Sequence, residues 1–461
     1  MSIYNTLNRT KEAFAPIRKK HVGIYLCGPT VYDNAHLGHG RSAVAFDIIR
    51  RYFIYKGYKV NFISNYTDID DKMINHAVEK KIRVSELAEL VIPHYVKDYS
   101  NLNVLPATKH PRATDYVPQI IELIKQLEDQ GATYELEDGI YFNIKTFPDY
   151  GKLSNQNIDD LQMGARVDVN KEKKNPQDFA LWKKEKPGEP SWDSPWGKGR
   201  PGWHIECSAM SMDILGETFD IHAGGADLVF PHHDCEIAQS ECATNKPFAH
   251  YWMHNGFINI NKEKMSKSLG NFITLKDLFK EYSGDVIRFL YLQTHYRSPI
   301  NFSSDLLEQS VNTLQRIHDF VRTLENIQNP GTLHPLVQKE IDTLLATFKE
   351  RMDDDFDTPE ALAALFEFIK AVYVLHKRSP LTTNDAKEIL GALRSIDEVF
   401  AVIFTKEKET LSDELMHLIG NREKAREEKD WETSDKIRET LKKKGVIVED
   451  TPEGTVWKKT N

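Results

Sequence analysis

Four cysteines in 461 residues, Cys27, Cys207, Cys235 and Cys242, are too few for a disulfide framework. Metal binding or plain burial are the uses left to them. No run of eighteen apolar residues is present, and the opening MSIYNTLNRTKEAF lacks the apolar core of a secretory signal. A cytoplasmic protein that makes no use of a membrane is expected. Nor is there a surplus of positive charge: 60 basic against 69 acidic side chains give a net charge of −9, so any contact with nucleic acid must come from local basic patches. Internal repeats and low-complexity tracts are likewise absent.

The chain is two to four times as long as a typical domain, which predicts several domains. VGIYLC (22 to 27) is apolar and β-prone. After a glycine-bearing loop, SAVAFDIIRRYFIY (42 to 55) repeats apolar residues at helical spacing, and VNFIS (60 to 64) reads as a second strand. Such a β-loop-α-β unit builds a parallel, Rossmann-like sheet with ligands at the carboxyl ends of its strands. From about Val117 a helix and then YELEDGIYF, with a hairpin signal at Asp138-Gly139, mark a small insertion. The Pro/Gly/Trp-rich stretch 186 to 203 reads as a long loop, and FDIHAGG (219 to 225) resumes the sheet. The fold class is therefore α/β, a parallel-sheet domain split by an insertion. A helical bundle should follow, with helices over about 305 to 328, 335 to 353, 359 to 377 and 384 to 404, the third opened by an N-cap at Thr358 with Pro359 behind it. Two charged helices and a hairpin over 411 to 461 would form a small α+β domain.

HLGHG (His36 to Gly40) lies in the loop after the first strand and opens the next helix. Helix N-termini offer free N–H groups and a positive dipole to phosphates, and a residue such as Gly38 lets a nucleotide approach the backbone. KEKMSKSLGN (262 to 271) has no apolar periodicity. It reads as a solvated loop or as lysines placed to stabilise the charge of a departing pyrophosphate. DIDDKMINHAVE imitates a calcium loop but has Met73 where glycine is required, and its apolar spacing marks a helix.

FPHHDCE (230 to 236) packs five metal-binding side chains into seven residues. With Pro231 taken as the start of a helix, His232 shares a face with Cys235 or Glu236, and spacing does not choose between them. Further ligands would come from Cys27, at the end of the first strand, and from Cys207 in GWHIECSAM.

HLGH and KMSKS, in that order, resemble the two signature motifs of class I aminoacyl-tRNA synthetases, with Leu37 in place of isoleucine in the first. CGPTVYDNAHLGHGR, NYTDIDDKM, GWHIECSAM, GGADLVFPHH and KMSKSLGNF together narrow the resemblance to cysteinyl-tRNA synthetases of the bacterial type. That resemblance implies activation of L-cysteine by ATP with Mg²⁺ and its transfer to tRNA(Cys). It implies one Zn²⁺ on Cys27, Cys207, His232 and Glu236. His36 and His39 would serve the triphosphate, and Lys264 and Lys267 the leaving pyrophosphate. Gly28, Thr67, Trp203 and His222 would surround the amino acid, and Gly38, Gly224, Gly225 and Asp227, together with Lys267, would hold the nucleotide.

By the same likeness the chain divides into two halves of the catalytic domain (1 to 118 and 201 to 258), an inserted connective domain (119 to 200) and a stem-contact region (259 to 303). The bundle (304 to 405) and an anticodon-binding domain (406 to 461) complete it, and a monomer is expected. In 421 to 444 nine basic against seven acidic side chains favour a solvated face, although its lysines could meet phosphates and Trp457 could stack on a base.

Zinc has a chemical reason here. Pocket shape separates near-isosteres such as cysteine and serine by only ~1–3 kcal/mol, whereas a soft metal prefers sulfur strongly. A ligase that passes cysteine to an amino sugar, a zinc-stabilised RNA-binding protein and a short nucleotidyltransferase are the rival readings. The extra C-terminal segment and the two intact signatures argue against them.

Overall fold

The computed structural model describes residues 1–156, 172–260, 263–264, 272–404, 413–451 and 454–459. They form two units, Met1–Phe404 and Thr405–Asn461.

In the larger unit, strand His21–Leu26 buries Val22, Ile24, Tyr25 and Leu26 because it lies inside a four-stranded parallel sheet with cover on both faces. The order across that sheet is Ala249–Asn255, Phe219–Gly225, His21–Leu26, Lys59–Ser64, with Ile24 opposite Ile221 and Leu26 opposite Ser64. The chain leaves the two central strands in opposite directions across the sheet. Their carboxyl ends form the switch point where such sheets bind ligands, and it falls at Cys27 and at Gly224–Gly225.

Helix Leu37–Tyr55 begins five residues before the periodic stretch seen in the sequence. A reciprocal cap is the cause: His36 Nδ1 accepts from the His39 N–H at 3.2 Å, and His39 Nδ1 accepts from the His36 N–H at 3.3 Å. The insertion contributes an antiparallel sheet of Thr133–Leu136, Gly139–Phe142, Phe179–Lys184 and Gly199–Pro201. Here the hairpin turn is Glu137-Asp138, one residue earlier than expected. Gly139 already sits in the strand, where a Cβ would lie 2.2 Å from the Trp182 carbonyl oxygen. The expected long loop over 186 to 203 is shorter, since its end pairs as a strand.

The bundle helices are Ser304–Glu325, Pro335–Asp353, Thr358–Arg378 and Thr383–Phe400. The third is capped by Asp357, not Thr358, because the Asp357 carboxylate is the group that accepts from the Glu360 N–H. The fourth stops at Phe400. Ala401 takes a left-handed φ of 53°, and Asp397 turns back to accept from the N–H groups of Val402 and Ile403. Arg288, fully buried, links the pieces: its guanidinium donates to Asp47 on the first helix (2.7 Å), to the Leu102 carbonyl and to the Phe400 carbonyl. Asp47 also accepts from Arg51 and from the Leu105 N–H, so the buried charges are paired and hydrogen-bonded.

In the smaller unit, helices Asp413–Glu427 and Trp431–Lys443 accompany a hairpin of Val446–Thr451 and Gly454–Lys459. Ile419, Leu441, Val446 and Val448 form its core. Trp457 is half-buried against that core opposite Val448, which leaves only part of the ring for a base.

Candidate active site and metal cluster

Gly28 follows strand His21–Leu26 with its N–H donated to Asn65 Oδ1 at 2.8 Å. A cleft of about 630 Å³ opens above it, lined by Cys27, Gly28, His36, His39, Trp203 and Asp227 among others. Gly38 and Gly225 also line it. Gly224 instead packs against His233, whose Cε1 would be 2.8 Å from an added Cβ.

The two signature histidines stack with their ring centres 3.5 Å apart. Burial, then His36 and Lys72, hold the His39 pKa well below its ordinary value, so the ring is neutral. Its Nδ1 faces the His36 N–H and the Tyr95 hydroxyl (3.2 Å). The proton therefore sits on Nε2, a donor suited to an anion. Lys267 lies outside the described residues. Lys264 ends the short strand Glu263–Lys264, opposite Asn259, and beyond the second motif Ile273 accepts from the Leu37 N–H at 3.1 Å.

Beneath the cleft, one ligand atom from each of Cys27, Cys207, His232 and Glu236 lies within 4.8 Å of the others, all four residues buried. His232 Nε2 is 3.1 Å from Glu236 Oε1, and the Cys27 thiol donates to the same oxygen at 3.4 Å. Pro231 does not start a helix. Phe230 is extended, Val229–His233 make a wide turn, and the regular helix is Asp234–Thr244; His232 still comes over Glu236. Cys235 points away, to the Tyr150 hydroxyl at 3.4 Å. A second group, Cys27, His222, His233 and Glu236, overlaps the first.

The residues from 13 to 312 match the family model "tRNA synthetases class I (C) catalytic domain", those from 347 to 405 the "DALR domain", and those from 408 to 457 the "Cysteinyl-tRNA ligase anticodon binding domain". The cysteine-tRNA ligase of Carboxydothermus hydrogenoformans is 49% identical over 464 aligned residues, 100% of each chain. The chain belongs to the cysteine-tRNA ligase family.

It is a class I aminoacyl-tRNA synthetase, and tRNA and ATP are its substrates. Solved class I enzymes share the fold at low identity. The methionyl-tRNA synthetase of Mycobacterium tuberculosis with methionyl-adenylate superposes with a TM-score of 0.59 at 15% identity, covering 83% of this chain and 90% of that one. A leucyl enzyme from Agrobacterium radiobacter in a ternary complex gives 0.64 at 11%, covering 85% of each.

At neutral pH two of the ligase's cluster groups, Glu236 and Cys207, are anionic, while His232 and Cys27 hold protons that a bound metal would displace. Burial alone would raise the Glu236 carboxyl, but His222 and His232 bring it down to about 2. Burial opposes protonation of His232, yet Glu236 and Cys207 carry it up to about 10. The bond from Cys27 lowers Cys207 to about 6, while burial and then Cys207 push Cys27 well up. Glu236 Oε2 makes no hydrogen bond although it is fully buried. Two sulfurs, an imidazole and a carboxylate converge here, with Glu236 Oε1 facing His232 and Cys27, and they are a donor set that fits Zn²⁺.

Of the other residues singled out, Trp203 is 42% exposed on the cleft and packs at a tilt against His232 with ring centres 4.4 Å apart. Thr67 and His222 are buried below. Thr67 donates to Glu206 Oε2 (3.2 Å), and His222 Nε2 lies 3.4 Å from Cys27 Sγ. Sequence reasoning passed over Asn65, His204 and Glu206. Asn65 holds both Gly28 and Thr67, and His204 Nδ1 meets His232 Nδ1 at 2.9 Å, which orients that ring. Their motifs, NYT and WHIEC, were visible, but the full burial of Asn65 and Glu206 and the contact of half-buried His204 with His232 were not.

Gly28 has no room for a side chain: an added Cβ would stand 1.7 Å from the Asn65 carbonyl oxygen. Gly28→Ala is therefore expected to displace the cleft floor and lower kcat/KM for cysteine by roughly 100-fold, since misplacement by about 1 Å costs that much. Steady-state kinetics check this, and unchanged kcat/KM would refute it.

Proposed function

We propose that this ligase selects its amino acid with a zinc ion held by Cys27, Cys207, His232 and Glu236, and activates it in the cleft above. The observation that carries the reading is the convergence of those four donors, within 4.8 Å, under the carboxyl end of the central strand. The first set is preferred to the overlapping one because it supplies two sulfurs and because His204 orients His232 from its other nitrogen. His222 and His233 then border the site, and His254 Nε2 fixes His233 Nδ1 at 2.8 Å. When bound, zinc supplies a soft Lewis acid that prefers a thiolate to serine's hydroxyl.

The chain's own groups do the rest. Gly28, held by Asn65, and Trp203 border the amino acid on the cleft side, with Thr67 and His222 supporting from below. Asp227 and Gly225 face the adenosine, and Gly224 closes the backbone behind it. His36 and His39 direct Nε2–H groups and a helix N-terminus at the triphosphate of ATP, which Mg²⁺ accompanies. As the cysteine carboxylate attacks the α-phosphate, Lys264 and Lys267 take up the charge on departing pyrophosphate. Cysteine then passes to the terminal adenosine of tRNA(Cys).

The experiment is metal analysis alongside amino-acid-dependent ATP–pyrophosphate exchange. One zinc per chain and exchange with cysteine but not serine are expected, and chelation should abolish exchange while ATP still binds. Full cysteine-dependent exchange by zinc-free protein would overturn the proposal.

A further inference from the structure

Behind the wall of the nucleotide cleft lies a second cavity of about 250 Å³. The two share Leu26, Ala43, Ser64 and Tyr99, so the chamber adjoins both the helix that carries the signature histidines and the strand that leads to Cys27. Its volume exceeds the ~150 Å³ that accommodates benzene in an engineered apolar cavity. Its walls are largely apolar and aromatic, with Phe62, Tyr66 and Tyr99 among them, and Tyr66 stacks on His110 at 5.0 Å.

Two polar atoms in those walls are buried without a partner: the Tyr66 hydroxyl, on a residue 4% exposed, and Arg50 Nε. The acceptors nearby are engaged. The Ser64 carbonyl takes His110 Nδ1 (2.8 Å), and His110 Nε2 accepts from the Ala107 N–H. Asp47, the one carboxylate among the described lining residues, already serves Arg51, Arg288 and the Leu105 N–H. Arg51 and Arg288 bond Asp47, and Arg50 Nη1 donates to the Leu105 and Pro106 carbonyls, which leaves Arg50 Nε and the Tyr66 hydroxyl as two idle donors in the cavity walls. Buried donors left unpaired are costly, and the chemistry that satisfies them is an acceptor carrying negative charge.

We propose that this chamber binds a small aromatic carboxylate, its ring against Phe62, Tyr66 and Tyr99 and its oxygens on the Tyr66 hydroxyl and Arg50 Nε. None of the residues given a role in the ligase reaction lines the chamber, so the site is additional to the catalytic one.

The test uses the full chain and benzoate, with toluene as the neutral control. Isothermal titration and ligand-observed NMR should show saturable benzoate binding, and a soaked crystal should place benzoate in this chamber. Tyr66→Phe and Arg50→Lys should each weaken benzoate about tenfold, the scale of one hydrogen bond to a charged group, and leave toluene unchanged. Thermal midpoints of both variants near that of the parent exclude unfolding as the cause. Absence of saturable binding, benzoate found in the nucleotide cleft or only water in the chamber would overturn the proposal. So would full benzoate affinity in both variants.

Discussion

Replacing Cys27 by alanine should leave the protein folded, empty it of zinc, and lower cysteine-dependent pyrophosphate exchange by at least about 10³-fold, while ATP binding survives. Several facts lead there. Cys27 Sγ faces Glu236 Oε1 and His222 Nε2, both at 3.4 Å, so its loss removes a donor from the middle of the cluster. Alanine adds no bulk and leaves the sheet intact. Discrimination that rests on shape alone reaches only about 10²-fold, whereas a site built around a specific polar or metal contact reaches 10⁴-fold or more. Metal analysis by mass spectrometry, exchange kinetics and ATP titration separate the outcomes. Retained zinc with lost exchange would mean that Cys27 acts on the substrate without holding metal. Retained exchange in a zinc-free variant would refute the ligand assignment.

The second large effect is structural. Arg288→Leu should destabilise the Met1–Phe404 unit by about 3–5 kcal/mol, because it leaves Asp47 in the interior with less compensation and two carbonyls, of Leu102 and Phe400, without their donor. Both side chains of the Arg288–Asp47 pair are fully buried, so solvent does not soften the loss. Arg288→Lys should recover only part of it, since an ammonium cannot reproduce a planar fork that reaches three acceptors. Chemical denaturation followed by a signal from the larger unit measures the difference. A change below about 1 kcal/mol for leucine would show that the linkage is not needed.

The sequence carried much of the architecture because its elements are marked by local physics. Apolar runs give the central strands, 3.6-residue spacing the bundle helices, and Asp138-Gly139 the neighbourhood of a hairpin. What it misplaced depended on single side-chain bonds. Apolar periodicity begins only at residue 42, whereas HLGHG marked the opening that a reciprocal histidine cap fixes at His36; the bundle cap at Asp357 comes from a carboxylate one residue earlier than the Thr-Pro signal.

The cluster is a different case. Cys27, Cys207 and the pair His232 and Glu236 are separated by long stretches of chain, and no spacing rule joins them; resemblance nominated them together, and the fold brings them within reach. Spacing also left Cys235 and Glu236 as equal candidates. The wide turn before the helix aims Glu236 at His232 and Cys235 at Tyr150. Asn65, His204 and Glu206 went unread because an ordinary polar residue becomes informative only when tertiary packing buries it beside a functional group.

The central claim is that the buried metal grasps the substrate by its sulfur. X-ray absorption at the zinc edge tests it most directly, on the holoenzyme with and without cysteine. The account predicts about two Zn–S bonds near 2.3 Å in the free enzyme, a third on adding cysteine, and none gained with serine. An unchanged sulfur count at saturating cysteine would contradict it.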